Sequence, residues 1–220
     1  MRTPEPTGAE GLRERKKRLT RQQLTDTATR MFLEKGFDAV RVSEVAAACG
    51  VSEKTVFNYF PTKEALVLDQ FETTPEVLRA ALSTPGPSPV DAVLEILAEE
   101  LAAITYWMAA QADFATAVKQ VALFGRLIGT TPALQAHQRA VLDRLTRDAA
   151  QVLAARPDLG IDDIEASVAA NALLGLWPAQ FAALRKHLGR ADSAAALFAA
   201  VSADVRRTAR IIRYGLQGRG

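Results

Sequence analysis

Apolar residues recur along this chain at intervals of three and four, the period of an α-helix. Leu24, Ala28, Met31 and Phe32 stand at i, i+4, i+7 and i+8, one stripe of a helix. Alanine and leucine dominate a hydrophobic fraction of 49%, aromatics are only 6%, and β-branched runs are few. Good helix formers with few strand formers argue for an all-α protein. At 220 residues the chain has room for a small module joined to a larger one.

Glycine and proline divide the pattern. Residues 1–12 carry Pro4, Pro6, Gly8 and Gly11 and read as a flexible arm. Gly36 stops the first helix, and Phe37 returns the chain to the core. A short helix follows with Val42, Val45, Ala46 and Cys49 inward, then a tight turn at Gly50-Val51. Ser52 is a suitable N-cap for the next short helix, which Pro61 ends, and Thr62 is placed to cap a further one, KEALVLDQFE. Ser83 to Asp91 is a linker rich in proline, glycine and serine. Beyond it the pattern predicts long helices over 90–111, 113–128, 132–155, 162–188 and 192–216, about nine helices in all. The division is thus a three-helix domain over 13–62 and a helical bundle over 63–220.

The net charge is +2, but it is unevenly spread. Eleven basic residues against six acidic ones lie between Arg13 and Lys63, so the first module is about +5 and the remainder slightly acidic. A basic module beside a neutral one points to a polyanionic partner for the first half. The N-terminus has no apolar core of a secretory signal, and no run of 18 or more uncharged apolar residues predicts a membrane span. One cysteine, Cys49, cannot form an internal disulfide, which fits a reducing cytoplasm. Enzymatic chemistry would need a nucleophile–base pair, a metal cluster or a phosphate-cradling glycine loop, and the sequence shows none. Two distant histidines, His137 and His187, make no metal site, so neither metal nor cofactor is expected.

Two short helices joined through glycine are by themselves a weak sign of DNA binding. The fuller constellation EKGFDAV followed by VSEVAAACGVSEKTVFNYFPTKEAL is far more specific. It resembles the helix-turn-helix signature of the tetracycline-repressor (TetR) family over roughly residues 15–72, carried by Phe32, Gly36, Phe37, Val45, Ala46, Gly50, Val51, Ser52, Thr55, Tyr59, Phe60 and Lys63. Two positions depart from the family pattern: Arg41 stands where threonine is common, and Phe57 where tyrosine is common. The second removes a hydroxyl that could meet a phosphate.

At 100° per residue, Val56 and Phe60 share an inward face, leaving Glu53, Lys54, Thr55, Asn58 and Tyr59 outward, towards a major groove. Lys54 suits guanine and Asn58 adenine, so these are the base-reading candidates. Thr55, Tyr59 and Lys63 are candidate phosphate contacts, with Arg41 and Ser43 reaching the backbone from the preceding helix. Ser52 caps the recognition helix, and Glu53 faces either a cytosine amine or the helix start. Arg13 to Arg21 reads as a DNA-contacting segment or as a solvated charge run.

The resemblance implies that the bundle binds a small-molecule effector and forms a homodimer through its last two helices. Their small-residue faces, Ala166, Ala169, Ala170 and Ala172 with Ala194, Ala195 and Ala199, permit close approach. The ligand candidates are Phe71, Trp107, Met108, Phe114, Phe124, Arg126, Leu127, Trp177 and Phe181, each of which also reads as plain core or, for Arg126, as a surface arginine. RERKK, FNYFPTKE and GRLIGTTPALQAHQ look similar to family members that sense acyl-CoA-like ligands, including mycofactocin-type regulators. The function implied is a ligand-responsive regulator, a repressor that binds a palindromic operator as a dimer and leaves it when an effector binds. The alternative is an architectural protein that binds DNA without sequence preference.

Overall fold

The computed structural model of the protein describes residues 11–68 and 74–214. The expected arm up to residue 10 and the ligand candidate Phe71 lie outside the described residues. Within them every regular element is a helix: α1 (Leu12–Lys35), α2 (Val42–Ala48), α3 (Glu53–Tyr59), α4 (Ala65–Leu68), α5 (Thr74–Ser83), α6 (Pro89–Ala109), α7 (Phe114–Thr130), α8 (Pro132–Ala154), α9 (Asp163–Leu174), α10 (Leu176–His187) and α11 (Ala194–Tyr214).

The chain divides into two units, residues 1–69 and 70–220. The single turn α4, which the sequence placed with the bundle, packs against α1 in the first unit. Its side chains explain this, because Ala65, Leu66, Val67 and Leu68 are all buried.

In the first unit the stripe of α1 is buried as its spacing requires, with Leu24 and Ala28 at 0% exposure and Phe32 at 1%. Phe37 stacks on Phe32 with centroids 5.0 Å apart, returning the chain to the core after Gly36. Gly50 sits at φ +67°, a left-handed conformation that a side chain disfavours, and so sets the corner between α2 and α3. Val51 N–H closes that corner onto the Ala46 carbonyl at 3.0 Å.

The second unit is a bundle in which α8 packs on α9, α11 packs on α10 and α6, and α5 bridges α6 and α8. Leu97, Leu101 and Met108 of α6, Leu145 of α8, Trp177 of α10 and Val201 of α11 are essentially inaccessible. The described residues form eleven helical segments, two more than the pattern predicts. One addition is α5, which occupies residues between the expected fourth helix and the linker. The other arises because the single helix expected over 162–188 breaks at Gly175 into α9 and α10. Pro178 accounts for the break: it has no N–H to give the Leu174 carbonyl four residues back.

The stretch Asp163–His187, 25 residues, is long and apolar enough by length and composition to cross a membrane, contrary to the sequence expectation. In this fold 44% of its apolar window is buried against the rest of the chain. Ala166 and Ala170, expected on a free small-residue face, are at 0% exposure inside the bundle, whereas Ile164 (76%) and Val168 (67%) point outward. On α11 Ala195 and Ala199 are exposed as expected, together with Ile211 and Tyr214.

Two ionic clusters tie the second unit together. Arg156, 5% exposed, donates to Asp158, to the Leu82 carbonyl (3.2 Å) and to the Pro87 carbonyl (3.3 Å), joining the loop after α8 to the loop after α5. The Gly86 N–H also donates to Asp158, at 3.2 Å. Asp204 of α11 accepts from Lys186 (2.7 Å), His187 (2.9 Å) and Arg207 (2.6 Å), which fastens α10 to α11. The Arg156 guanidinium beside it holds the Asp158 carboxyl down to about 2. Lys186, then His187, hold Asp204 well below the usual carboxylate range.

A carboxylate whose pKa is depressed on folding adds stability above its unfolded value, and that stability is lost as pH falls through the folded one. The second unit should therefore lose stability progressively from about pH 4 towards pH 2. Asp158→Asn with Asp204→Asn should flatten that part of a plot of denaturation midpoint against pH. Arg156→Ala leaves the Leu82 carbonyl at the end of α5 and the Pro87 carbonyl without their donor and should cost about 2–4 kcal/mol in urea denaturation at pH 7.

Candidate nucleic-acid interface

The surface that could meet a polyanion is built on α3. Ser52 is extended (φ −78°, ψ 154°), and its hydroxyl oxygen accepts the Thr55 N–H at 3.1 Å. The Ser52 and Thr55 hydroxyls are also hydrogen-bonded to each other at 2.8 Å. This cap starts α3, and the acidic Glu53 in its first turn suits the positive end of the helix dipole.

The inner face is as the spacing predicts, with Val56 at 1% and Phe60 at 0% exposure. Consequently Ser52, Glu53, Lys54, Phe57 and Asn58 are exposed, while Thr55 and Tyr59 are half-buried. Phe57, 45% exposed, is a large apolar group in the middle of this outward face. Arg41 and Ser43 are both exposed at the start of α2. The Arg41 N–H donates to the Glu44 carboxylate at 2.7 Å, which supplies one half of a capping box, while the Arg41 side chain has no acceptor to offer the first N–H groups of the helix as the common threonine would.

Two cations hold the unit in shape. The Lys63 ammonium donates to the Phe37 carbonyl at 2.6 Å and lies 4.3 Å from the Phe37 ring centroid and 5.6 Å from that of Phe32. A residue proposed from sequence as a phosphate contact therefore also fastens the segment after α3 to the corner after α1. The Arg21 guanidinium lies 4.6 Å over the Phe60 ring and donates to the Tyr59 carbonyl at 3.0 Å, at the C-terminal end of α3. The sequence marks Arg21 only as one charge in a run; its anchoring role follows from its i, i+3 spacing to Leu24 on the buried stripe. Cys49 is half-buried, with its thiol 3.8 Å from the Gln23 carbonyl.

The ligand candidates of the second unit separate into three groups. Met108 (0%) and Trp177 (1%) are buried core. Phe114, Phe124, Leu127 and Phe181 are half-buried. Trp107, 42% exposed, and Arg126, also exposed, lie on outward faces rather than among buried groups. Their helical spacing did not resolve this, since a tryptophan or arginine beside apolar neighbours reads the same on either face. The structure adds Glu100, which the sequence pattern did not single out: its carboxylate accepts the Trp177 indole N–H at 3.0 Å. The available signal was a carboxylate four residues after Ile96 on an otherwise apolar stripe. Among the described residues no group of three or more His, Cys, Asp or Glu side chains could hold a metal.

Residues 24–69 match the family model described as bacterial regulatory proteins, tetR family. The chain is 30% identical over 155 residues to the HTH-type transcriptional regulator TcmR of Streptomyces glaucescens, covering 70% of this chain and 67% of that protein. A relative named for mycofactocin biosynthesis regulation, MftR of Mycobacterium tuberculosis, is 32% identical over 59 residues, 27% of this chain and 30% of its own. Among solved structures the fold is similar to that of NalD, the secondary repressor of the MexAB-OprM multidrug efflux pump in Pseudomonas aeruginosa. The TM-score is 0.53 at 19% identity, covering 91% of this chain and 97% of NalD.

The geometry of Lys63 has a consequence measurable without DNA. Lys63→Met removes a charge-assisted hydrogen bond and a cation over two rings, and should destabilise the first unit by about 1–2 kcal/mol. Thermal denaturation followed by helix circular dichroism reads this directly, and Ser52→Ala should cost about 1 kcal/mol by loss of the cap.

Proposed function

We propose that this chain, which belongs to the TetR family of bacterial transcriptional regulators, is a ligand-responsive repressor that binds a palindromic operator as a homodimer. The observation that carries the reading is the two-faced α3: Val56 and Phe60 wholly buried, Lys54 and Asn58 exposed on the opposite side. A helix held this way offers a major groove its polar side chains with their base-edge donors free. Lys54 and Asn58 read base edges; Arg41, Ser43, Ser52, Thr55, Tyr59 and Lys63 hold the backbone, with Glu53 beside them. Acting on chromosomal DNA, the protein works in the cytoplasm.

Dimerisation through α9–α11 is supported by the apolar groups left outward there, Ile164, Val168, Ile211 and Tyr214. A dimeric repressor of this kind would carry two recognition helices to half-sites about one turn of DNA apart, near 34–36 Å. The effector site is supported by α7, an apolar helix in which Ala117 is the buried residue and Phe114, Phe124 and Leu127 stay half-covered. A small, largely apolar molecule such as an acyl-CoA-like thioester would complete the burial of that face. Its binding then shifts the population from DNA-competent to DNA-incompetent dimers.

Fluorescence anisotropy on the protein's own upstream intergenic DNA against scrambled DNA, at about 150 mM salt, tests the reading. A preference of about a thousandfold or more is expected, and equal affinity for the two would favour the architectural alternative. Lys54→Ala or Asn58→Ala should relax discrimination at particular base pairs by about 1–3 kcal/mol each, whereas Tyr59→Phe should weaken all sequences alike. Ile164→Asp with Val168→Asp should convert the dimer to monomer in sedimentation analysis; an undisturbed dimer would place the interface elsewhere.

A further inference from the structure

We propose that the first two turns of α1 are a phosphate-binding rail, with Arg13 and Lys17, in line with Arg21, gripping the DNA backbone beside α3. The inference rests on the DNA-binding reading above and adds a second backbone-gripping element to it.

Positions 13, 17, 21, 24, 28 and 31 fall on one face of α1, within about 80° of arc at 100° per residue. From Leu24 onward this face is apolar and buried, with Leu24, Ala28 and Met31 at 0–7% exposure. From Arg21 back to Arg13 it is cationic, and Arg13 and Lys17 are exposed. The change occurs where the helix passes the end of α3, at the Arg21 contact with Tyr59 and Phe60. The cationic part of the stripe therefore continues, on the same side of α1, from the residue that touches the base-reading helix.

The electrostatics of this segment work against folding. Arg13, Arg15, Lys16, Lys17 and Arg18 crowd the N-terminal end of a helix, where the dipole favours anions, and Glu14 is the single acid in the first turn. Arg13 with Lys17, and Lys17 with Arg21, are like charges at i, i+4, a spacing that destabilises a helix. Gly11 at the N-cap gives no side-chain hydrogen bond to offset this. Among the described residues no carboxylate pairs with Arg13 or Lys17. A row of cations carried on one helix, spaced about 6 Å apart along the axis, is complementary to a row of anions of similar spacing, which successive phosphates of one strand provide. Because α1 is already helical from Leu12, the cations meet the strand as a row, with no ordering of a flexible arm required.

The test is the slope of log K against log salt for a mixed-sequence 30-base-pair duplex, since binding to phosphates needs no particular sequence. The wild-type chain is compared with Arg13→Ala/Lys17→Ala and with the charge-matched Arg15→Ala/Arg30→Ala, whose side chains leave α1 on other faces. The expected result is a slope smaller by nearly two per bound protomer for the first variant, nearly four per dimer, at about 0.9 for each phosphate no longer neutralised, and little change for the second. Alanine keeps the helix, and without DNA the first variant should melt higher than the second as the repulsion along the stripe is relieved. Equal slopes for the two variants would overturn the rail while leaving operator recognition by α3 standing. A wild-type chain that prefers no sequence, yet shows the expected difference in slopes, would instead overturn the operator reading and keep the rail. A wild-type chain that binds no duplex overturns both.

Discussion

The rotation of α3 about its own axis decides what the first unit can present, and Phe60 decides that rotation. Its ring is wholly buried, with the Arg21 guanidinium 4.6 Å above it, and the same guanidinium takes the Tyr59 carbonyl. One cation thus packs against the apolar anchor of α3 and satisfies a carbonyl at the helix end. With Val56 buried one turn earlier, no freedom remains for Lys54 or Asn58 to turn inward. The outward polar face therefore follows from burial on the opposite side.

Lys63 serves the same unit from the other end. It meets the Phe37 carbonyl and two aromatic rings, so the chain leaving α3 is tied to the corner after α1. Both fastenings use cations on aromatic groups in a module already rich in positive charge. In such a module cations are plentiful, and structural use of some leaves others, Arg13 and Lys17 among them, directed at solvent. In the second unit the ionic fastenings are carboxylate-centred instead, at Asp158 and Asp204, and there they join loops and helices rather than hold a recognition surface.

The three-helix unit was almost fully legible in sequence because its signals are local. Apolar spacing in α1, glycine at a left-handed corner and a serine cap each act within a few residues. All of Leu24, Ala28, Phe32, Val45, Val56 and Phe60 are buried as read. The bundle was less legible because its uncertainties are not local. A helix rich in alanine has no strongly marked polar side, so Ala166 and Ala170 passed for a free face although they are core. Trp107 and Arg126 could be given no face for the same reason, and the Arg156 cluster was invisible because two of its partners lie about seventy residues away, at Leu82 and Pro87. Pro178 was the one local signal that went unused, and it marks the break between α9 and α10.

The central claim, that two copies of α3 read a two-fold symmetric site in adjacent major grooves, is open to a single direct measurement. Hydroxyl-radical footprinting of the full chain on a duplex selected by it from a random-sequence pool would map the contacted backbone at single-nucleotide resolution. The account predicts two protected half-sites related by a two-fold axis, with centres about 10 base pairs apart. A single unsymmetric footprint, or uniform weak protection along the duplex, would contradict it.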